Sequence, residues 1–299
     1  MPVFTHVVPE DSPMMRMDAY CYSVFSVFDS RNQARKAIKS SCLFIDGVKA
    51  RTDWFPRPGT ELILTVPEPP VIPVLEMELD VLYIDSHLAV VHKPAGMHTR
   101  GNHRLTVHRA LLHNMDRSEE PDALPMPDPC HRLDYRTSGL LLVARTQAAR
   151  VALNRMFAER RIHKRYRALV FGRLEGEGEV HEPIDGRASF SRYRAVEHTR
   201  SVHVEWFTTV ELEPVTGRTH QLRRHMLHLG HPVLGDDLYC GDKKVLRGSG
   251  LFLTAMHQSF VHPITGESLS IDAPEPHKFK SIRDRETRRW IKIRQDTTL

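Results

Sequence analysis

The sequence predicts an α+β chain in which a small αβ unit precedes a larger domain built on a largely antiparallel, mixed sheet. Three observations carry that reading. Apolar runs of strand and helix periodicity alternate irregularly along the 299 residues, without the regular βα repeat of a parallel sheet. Pro67, Pro69, Pro70 and Pro73 crowd into seven residues, and proline both removes backbone donors and stiffens the chain, so a boundary falls there. Hydrophobic residues make up 40% and charged residues 26%, the balance of a chain that folds round a core. The expected organisation is residues 1–66 as the first unit, 67–74 as a linker and 75–299 as the second domain.

In the first unit, Ser30–Ser41 opens on a capping serine. It spaces Ala34, Ala37 and Ile38 for one helical face and Arg31, Arg35, Lys36 and Lys39 for the other. Those four cations are candidate phosphate contacts. Short strands follow at Leu43–Ile45, Val48–Ala50 and Glu61–Val66, the first two joined by a turn at Asp46-Gly47.

Beyond the linker, Leu79–Ile84 and Leu88–His92 read as strands, Val107–Met115 as a helix and the proline-rich Asp116–Pro129 as a surface loop. Gly139–Ala144 is an apolar run of buried-strand type, and Gln147–Arg160 is a helix. Lys164–Val170 alternates, with Tyr166, Ala168 and Val170 on one face and Arg165 and Arg167 on the other, as in a half-buried strand. Val202–Leu212 is a longer strand, and Gln221–Leu229 a short helix after a turn at Thr216-Gly217.

Composition narrows the function classes. Lys and Arg total 42 against 37 acids, a net charge of +5 that makes a polyanion a plausible partner. No apolar run approaches the roughly 20 residues that span a bilayer. Met1–Asp11 has acids and prolines where a signal peptide has a basic end and an apolar stretch, so a cytoplasmic protein is expected. Cys21, Cys42, Cys130 and Cys240 lie far apart without a CxxC pair, which suggests neither a disulfide framework nor a cysteine zinc site. His225, His228 and His231 invite a metal reading, but His225 and His228 share a helix with Arg223 and Arg224, a cationic setting that opposes a second cation. No metal is expected.

The residues that carry chemistry centre on Asp134, which lies between Arg132 and Arg136 in a loop just before the apolar strand. Positive neighbours keep a carboxylate ionised, and a loop tied to a buried strand holds it still, as a nucleophile or base requires. Taken alone, an aspartate in a loop more often serves as a turn or cap residue.

The run His131-Arg132-Leu133-Asp134-Tyr135-Arg136-Thr137-Ser138-Gly139-Leu140 resembles the central motif of the RluA family of pseudouridine synthases. That motif reads His-Arg-Leu-Asp, two variable residues, then Thr-Ser-Gly-Leu. Further segments match in the family's order: Lys93-Pro94-Ala95-Gly96, Lys164-Arg165-Tyr166, and Thr216-Gly217-Arg218-Thr219-His220-Gln221-Leu222-Arg223 continuing to Gly235-Asp236. His262-Pro263-Ile264-Thr265-Gly266 and Ala273-Pro274-Glu275-Pro276 complete a resemblance over about Leu79–Phe279. One departure is Leu253-Thr254-Ala255, where the family usually has Leu-His-Ala. In the first unit, the basic helix before Ile45-Asp46-Gly47 resembles the S-four-type RNA-binding domain. That domain's opening helix would cover Ala19–Asp29, without the customary Arg-Leu-Asp start.

The resemblance implies the pseudouridine synthase fold and a cofactor-independent isomerase that breaks the ribose–uracil bond at nitrogen 1 and remakes it at carbon 5. Asp134 would start the reaction by attacking sugar or base, or by removing a ribose proton; Tyr166 would line the uridine pocket; Arg223 would pair with Asp134. Arg132, Arg165 and Arg167 would hold phosphates. The expected partner is RNA, ribosomal before transfer, with the protein a monomer. Two other classes compete: an RNA-binding protein that has kept the fold without the activity, and an aspartate-dependent nucleoside hydrolase, which would release free uracil.

Overall fold

The computed structural model of the chain describes residues 2–28, 30–65, 73–240 and 249–297. They divide into two units, Met1–Ile72 and Pro73–Leu299. Within the expected linker, Pro73 and Val74 are described, whereas Pro67, Pro69 and Pro70 lie outside the described residues, as does Val66.

In the first unit, β1 (Val3–Val7), α1 (Met17–Val24), α2 (Arg31–Lys39), β2 (Leu43–Ile45), β3 (Val48–Lys49) and β4 (Glu61–Thr65) build a four-stranded sheet of order β1-β4-β2-β3 with two helices. The helix α2 follows its sequence pattern. The Ser30 hydroxyl accepts from Gln33 N at 3.3 Å, and Ala34 and Ile38 are buried. Asp46 and Gly47 take φ of 47° and 78°, the left-handed pair that joins β2 to β3 in a tight hairpin. Strand β1 was not legible, because Val3, Phe4, Thr5 and Val7 are all exposed and leave no alternation to read.

The first helix corrects the expected start at Ala19. It begins at Met17, so Arg16-Met17-Asp18 stands at its opening, with methionine where leucine is customary. Asp18 is fully buried, and its carboxylate accepts from Arg31 Nη2 at 2.9 Å and from Arg35 Nε and Nη2 at 3.0 and 2.8 Å. Burial pushes the Asp18 carboxyl up, but hydrogen bonds and charge from both arginines outweigh it and hold the pKa down to about 2. Two of the four cations of α2 thus tie it to α1.

The second unit runs β5 (Val81–Ile84), β6 (Leu88–Lys93), α3 (Val107–Asn114), β7 (Ala123–Pro129), β8 (Ser138–Thr146), α4 (Gln147–Ala158), β9 (His163–Phe171) and β10 (Glu177–Val180). It continues through β11 (Ser191–Ser201), β12 (Glu205–Pro214), α5 (Gln221–His228), β13 (Leu253–Val261), β14 (Ser268–Asp272) and α6 (His277–Thr297). The main sheet has the order β10-β11-β12-β9-β13-β8-β6-β5, with β7 added on β8 and β14 on β13. Neighbours are antiparallel except β8 and β13, which run parallel.

Strand β8 is apolar from Gly139 to Ala144, where both its faces are covered. Leu141 and Val143 pack with Ala89 and Val91 of β6, while Leu140, Leu142 and Ala144 pack with Ala149, Leu153 and Met156 of α4. Tyr166, Ala168 and Val170 of β9 join the first of these clusters.

Asp116–Pro129 is not wholly a loop, since β7 occupies its second half. Pro125, Pro127 and Pro129 are tolerated there because the strand lies off the main path and its register with β8 breaks between Ala123 and Asp128. The strands β10, β11, β13 and β14 and the helix α6 also went unread. Helix α6 is rich in charged residues and largely exposed, which masks its period, and β11 sets only serine and threonine at its buried positions.

The Asp18 cluster yields a stability prediction. A carboxyl held below its unfolded value stabilises the folded state above that value and ceases to do so as pH falls through the folded one. The first unit should therefore lose stability as pH drops from about 4 to about 2. Asp18→Asn should destabilise it by about 2 kcal/mol at neutral pH and flatten that acid dependence, as followed by thermal unfolding at stepped pH.

Candidate active site

The loop between β7 and β8 is fixed from its own backbone outward. Thr137 N donates to Asp134 O at 3.0 Å, closing a turn over Asp134–Thr137. Gly139 then takes φ of 114° with its Cα against β13, where a Cβ would stand 2.1 Å from Ala255 O. Only glycine lets β8 enter alongside β13 at this point. Ser138 Oγ donates to Thr254 Oγ1 at 3.0 Å, so a threonine hydroxyl meets the loop where the family usually has histidine.

The segment after β6 clamps the other side. Gly96 N and Lys93 Nζ both donate to Tyr135 O, at 2.8 and 3.3 Å, and Lys93 Nζ also donates to Pro94 O at 2.9 Å. Thr99 Oγ1 accepts from Leu133 N at 3.2 Å and donates to Leu133 O at 3.3 Å. The residues on both sides of Asp134 are therefore pinned. Lys93 is fully buried, and burial pushes its amine down to about 8 against the opposing pull of Asp134. The Lys93-Pro94-Ala95-Gly96 motif thus acts as a brace.

Asp134 itself is partly exposed and faces the first turns of α5. Its Oδ2 lies 3.9 Å from Arg223 Nη1, and its Oδ1 lies 3.9 Å from His220 Nε2. Arg223 is buried, and its Nε and Nη2 donate to Asp236 at 2.6 and 2.7 Å. The expected pairing of Arg223 with Asp134 is looser than a direct hydrogen bond: the guanidinium fork engages Asp236, and only Nη1 turns towards Asp134. Burial disfavours the Arg223 cation, but the hydrogen bonds and charge of Asp236, with the charge of Asp134, raise its pKa above the usual value. His220 sits in left-handed backbone at φ 55° and is hydrogen-bonded through Nδ1 to Tyr239 OH at 3.0 Å. His220, Asp236 and Tyr239 had no assigned role in the sequence. The first two lie inside matched motifs, whereas nothing singled out Tyr239.

Asp134, Tyr166 and Arg223 line one cavity of about 120 Å³, together with Leu133, Lys164 and Leu253. Tyr166 is buried, and burial followed by the Asp134 charge raises its phenol pKa. A wider groove of about 830 Å³ adjoins it, sharing Arg132, Lys164, Thr216 and Arg218. Its lining holds Arg132, Arg160, Lys164, Arg165, Arg192 and Arg218, with Glu213 as the one carboxylate among the lining residues. Arg132 is exposed there. Arg167 is engaged elsewhere: it donates to Glu211 at 2.9 Å and lies 3.5 Å from Glu275. Arg165 borders the groove, 3.9 Å from Glu211.

His131 and His225 serve structure. His131 is drawn down to a pKa of about 3 by burial and then by Lys164, and its Nε2 accepts from Leu142 N at 3.1 Å. His225 is hydrogen-bonded to Ser189 and Ser191, each at 3.0 Å. Among the described residues, no group of three or more His, Cys, Asp or Glu is placed to hold a metal ion.

Residues 87–228 match the model of the family described as RNA pseudouridylate synthase. The chain is 34% identical to the ribosomal large subunit pseudouridine synthase D of Xanthomonas campestris, over 92% of this chain and 90% of that protein. It is 36% identical to the dual-specificity RNA pseudouridine synthase RluA of Haemophilus influenzae, over 67% of this chain and 95% of that one. Among solved structures, human RNA pseudouridylate synthase domain containing 1 aligns with a TM-score of 0.57 at 29% identity, covering 68% of this chain and 86% of that one.

The shared arginine gives a prediction about the site's frame. Asp236→Ala leaves a buried guanidinium without its fork partner and should destabilise the second unit by about 3 kcal/mol. Adding Arg223→Ala should cost less than the sum of the two single changes, because the second removes the orphaned charge. Equilibrium unfolding of the two single variants and the double variant measures the coupling.

Proposed function

The chain belongs to the RNA pseudouridylate synthase family, and on that premise we propose that Asp134 starts the isomerisation of a uridine in large-subunit ribosomal RNA, with Tyr166 and Arg223 as its partners. The enzyme is an RNA pseudouridine synthase, an isomerase. The observation that carries the residue assignment is the common cavity. A carboxylate with both backbone flanks pinned faces a buried, permanently charged arginine at 3.9 Å and shares its cavity with a buried aromatic ring.

The reaction separates uracil nitrogen 1 from the sugar, turns the base and joins the sugar to carbon 5. Three openings use the Asp134 carboxylate: attack on the sugar, attack on the base, or removal of a ribose proton. The Arg223 guanidinium faces that carboxylate at 3.9 Å. Extruding the uridine from a stack costs on the order of a few kcal/mol, which contact with Tyr166 and the cationic rim offsets. The raised Tyr166 pKa keeps the phenol protonated at neutral pH, which supports stacking on uracil over service as a phenolate base for the carbon 5 proton.

Ribosomal RNA is favoured over transfer RNA as substrate, because relatives from Xanthomonas and Zymomonas that align over 92% and 94% of this chain carry the large-subunit name. The groove beside the cavity suits a phosphodiester strand, with Arg132 and Arg165 as phosphate contacts. Arg167 is left out of that set, because two carboxylates already balance it. The first unit is proposed as an S-four-type RNA-binding domain. Its contacts fall first to Lys36 and Lys39, since Arg31 and Arg35 are engaged with Asp18. The protein is proposed to act as a cytoplasmic monomer without cofactor or metal. No helix among the described residues is long and apolar enough to cross a membrane.

Asp134→Asn, which keeps the side-chain shape, should abolish pseudouridine formation in a single-turnover assay while RNA affinity stays near wild type. Substantial turnover by that variant would remove Asp134 from the chemistry. Replacing Lys36 and Lys39 together by alanine should flatten the salt dependence of RNA binding by about 1.4 in log–log slope, at about 0.7 per lost single-strand phosphate contact. An unchanged slope would take α2 off the RNA.

A further inference from the structure

Three rings form a continuous stack beside Asp134. His103 lies face to face on His98, with centroids 3.7 Å apart and planes within 9°. His98 in turn meets Tyr135, the residue after Asp134, at 4.6 Å and 37°. His103 is exposed and Tyr135 is 47% exposed, so the stack lies at the surface and does not form part of a core. Thr99, the neighbour of His98, holds Leu133 through both backbone groups, and Gly96 N holds Tyr135 O. The stack is therefore braced to the same loop that carries Asp134.

We propose that His103, His98 and Tyr135 form a platform on which an unpaired RNA base stacks next to the uridine that enters the Asp134 cavity. The proposal rests on the reading of that cavity as the uridine site.

Unpaired bases are recognised by stacking on tyrosine and histidine rings, a contact that tolerates any base because each has a π face. An uncharged imidazole suits this better than a cation pair, and two imidazolium rings at 3.7 Å would repel. His98 is kept below the usual histidine pKa first by burial and then by His103, Lys93 and Arg132. Exposed Arg132 makes no ion pair among the described residues, so it is available to a phosphate of the same strand. A packing role alone explains the stack poorly, because an exposed ring pair contributes little to stability. Tyr135 also occupies one of the two variable positions of its motif, where a residue can set target preference without altering the chemistry.

The test uses a short single-stranded oligouridylate with one 2-aminopurine, whose fluorescence is quenched on stacking, and an end label for anisotropy. Wild-type protein should quench the probe on binding. His98→Ala with Tyr135→Ala should lose the quench and bind on the order of tenfold more weakly. Its salt slope should be unchanged, because no phosphate contact is removed. Tyr135→Phe should retain both quench and affinity. His103→Ala, at the exposed end of the stack, should lose part of the quench without touching the loop of Asp134. Equal quenching and affinity in wild type, the double variant and His103→Ala would overturn the platform. Asp134→Asn separates the two readings: it should still quench the probe, and if it also still forms pseudouridine, the reading of the cavity fails on its own. If Asp134→Asn is inactive while the platform variants bind like wild type, the platform fails and the cavity reading stands.

Discussion

The site depends on the immobilisation of one short loop. Leu133 and Tyr135, on either side of Asp134, are tied by hydrogen bonds to the chain after β6, and Thr137 closes back on Asp134 itself. The buried strand β8 starts only a few residues later, and Gly139 lets it lie against β13 without a side chain between them. A carboxylate aimed this way keeps its position when water leaves and a base enters, so little reorganisation is needed during the reaction.

Electrostatics then divides the work of Arg223 between two acids. Asp236 takes the bidentate fork and makes a buried cation tolerable, since an unpaired one would cost several kcal/mol. The remaining nitrogen faces Asp134 at 3.9 Å. Asp236 also accepts from Leu238 N and Tyr239 N, and Tyr239 is hydrogen-bonded to His220. The same carboxylate that neutralises Arg223 thereby positions the left-handed turn that brings His220 beside Asp134. Catalytic charge and local backbone geometry are coupled through one residue.

Much of this was legible from residue pattern. The apolar run of β8, the alternation of β9 and the capped, one-sided α2 each carry their period on the surface of the sequence, and the motif residues around Asp134, Tyr166 and Arg223 fall in one cavity. What went unread has physical causes. Strand β1 exposes most of its side chains, β7 is laced with prolines, β11 buries only serine and threonine, and α6 is charged at most positions, with buried Phe279 and Ile282 confined to its first turns. Partner choice is equally hidden: Arg31, Arg35 and Arg167 look like free surface cations in sequence, yet Asp18, Glu211 and Glu275 engage them. Spacing tells which side of an element a charge occupies, and only the fold tells which opposite charge it meets.

Isomerisation of uridine at this site keeps the base on the RNA, whereas cleavage would release it. The most direct measurement is incubation of the wild-type protein with an unmodified large-subunit ribosomal RNA transcript in the presence of EDTA, followed by nucleoside analysis of the digested RNA and assay of the supernatant for free base. The expected result is pseudouridine in the RNA, accumulating without added cofactor, and no uracil in solution. Free uracil with abasic RNA, or a bound transcript that never gains pseudouridine, would contradict it.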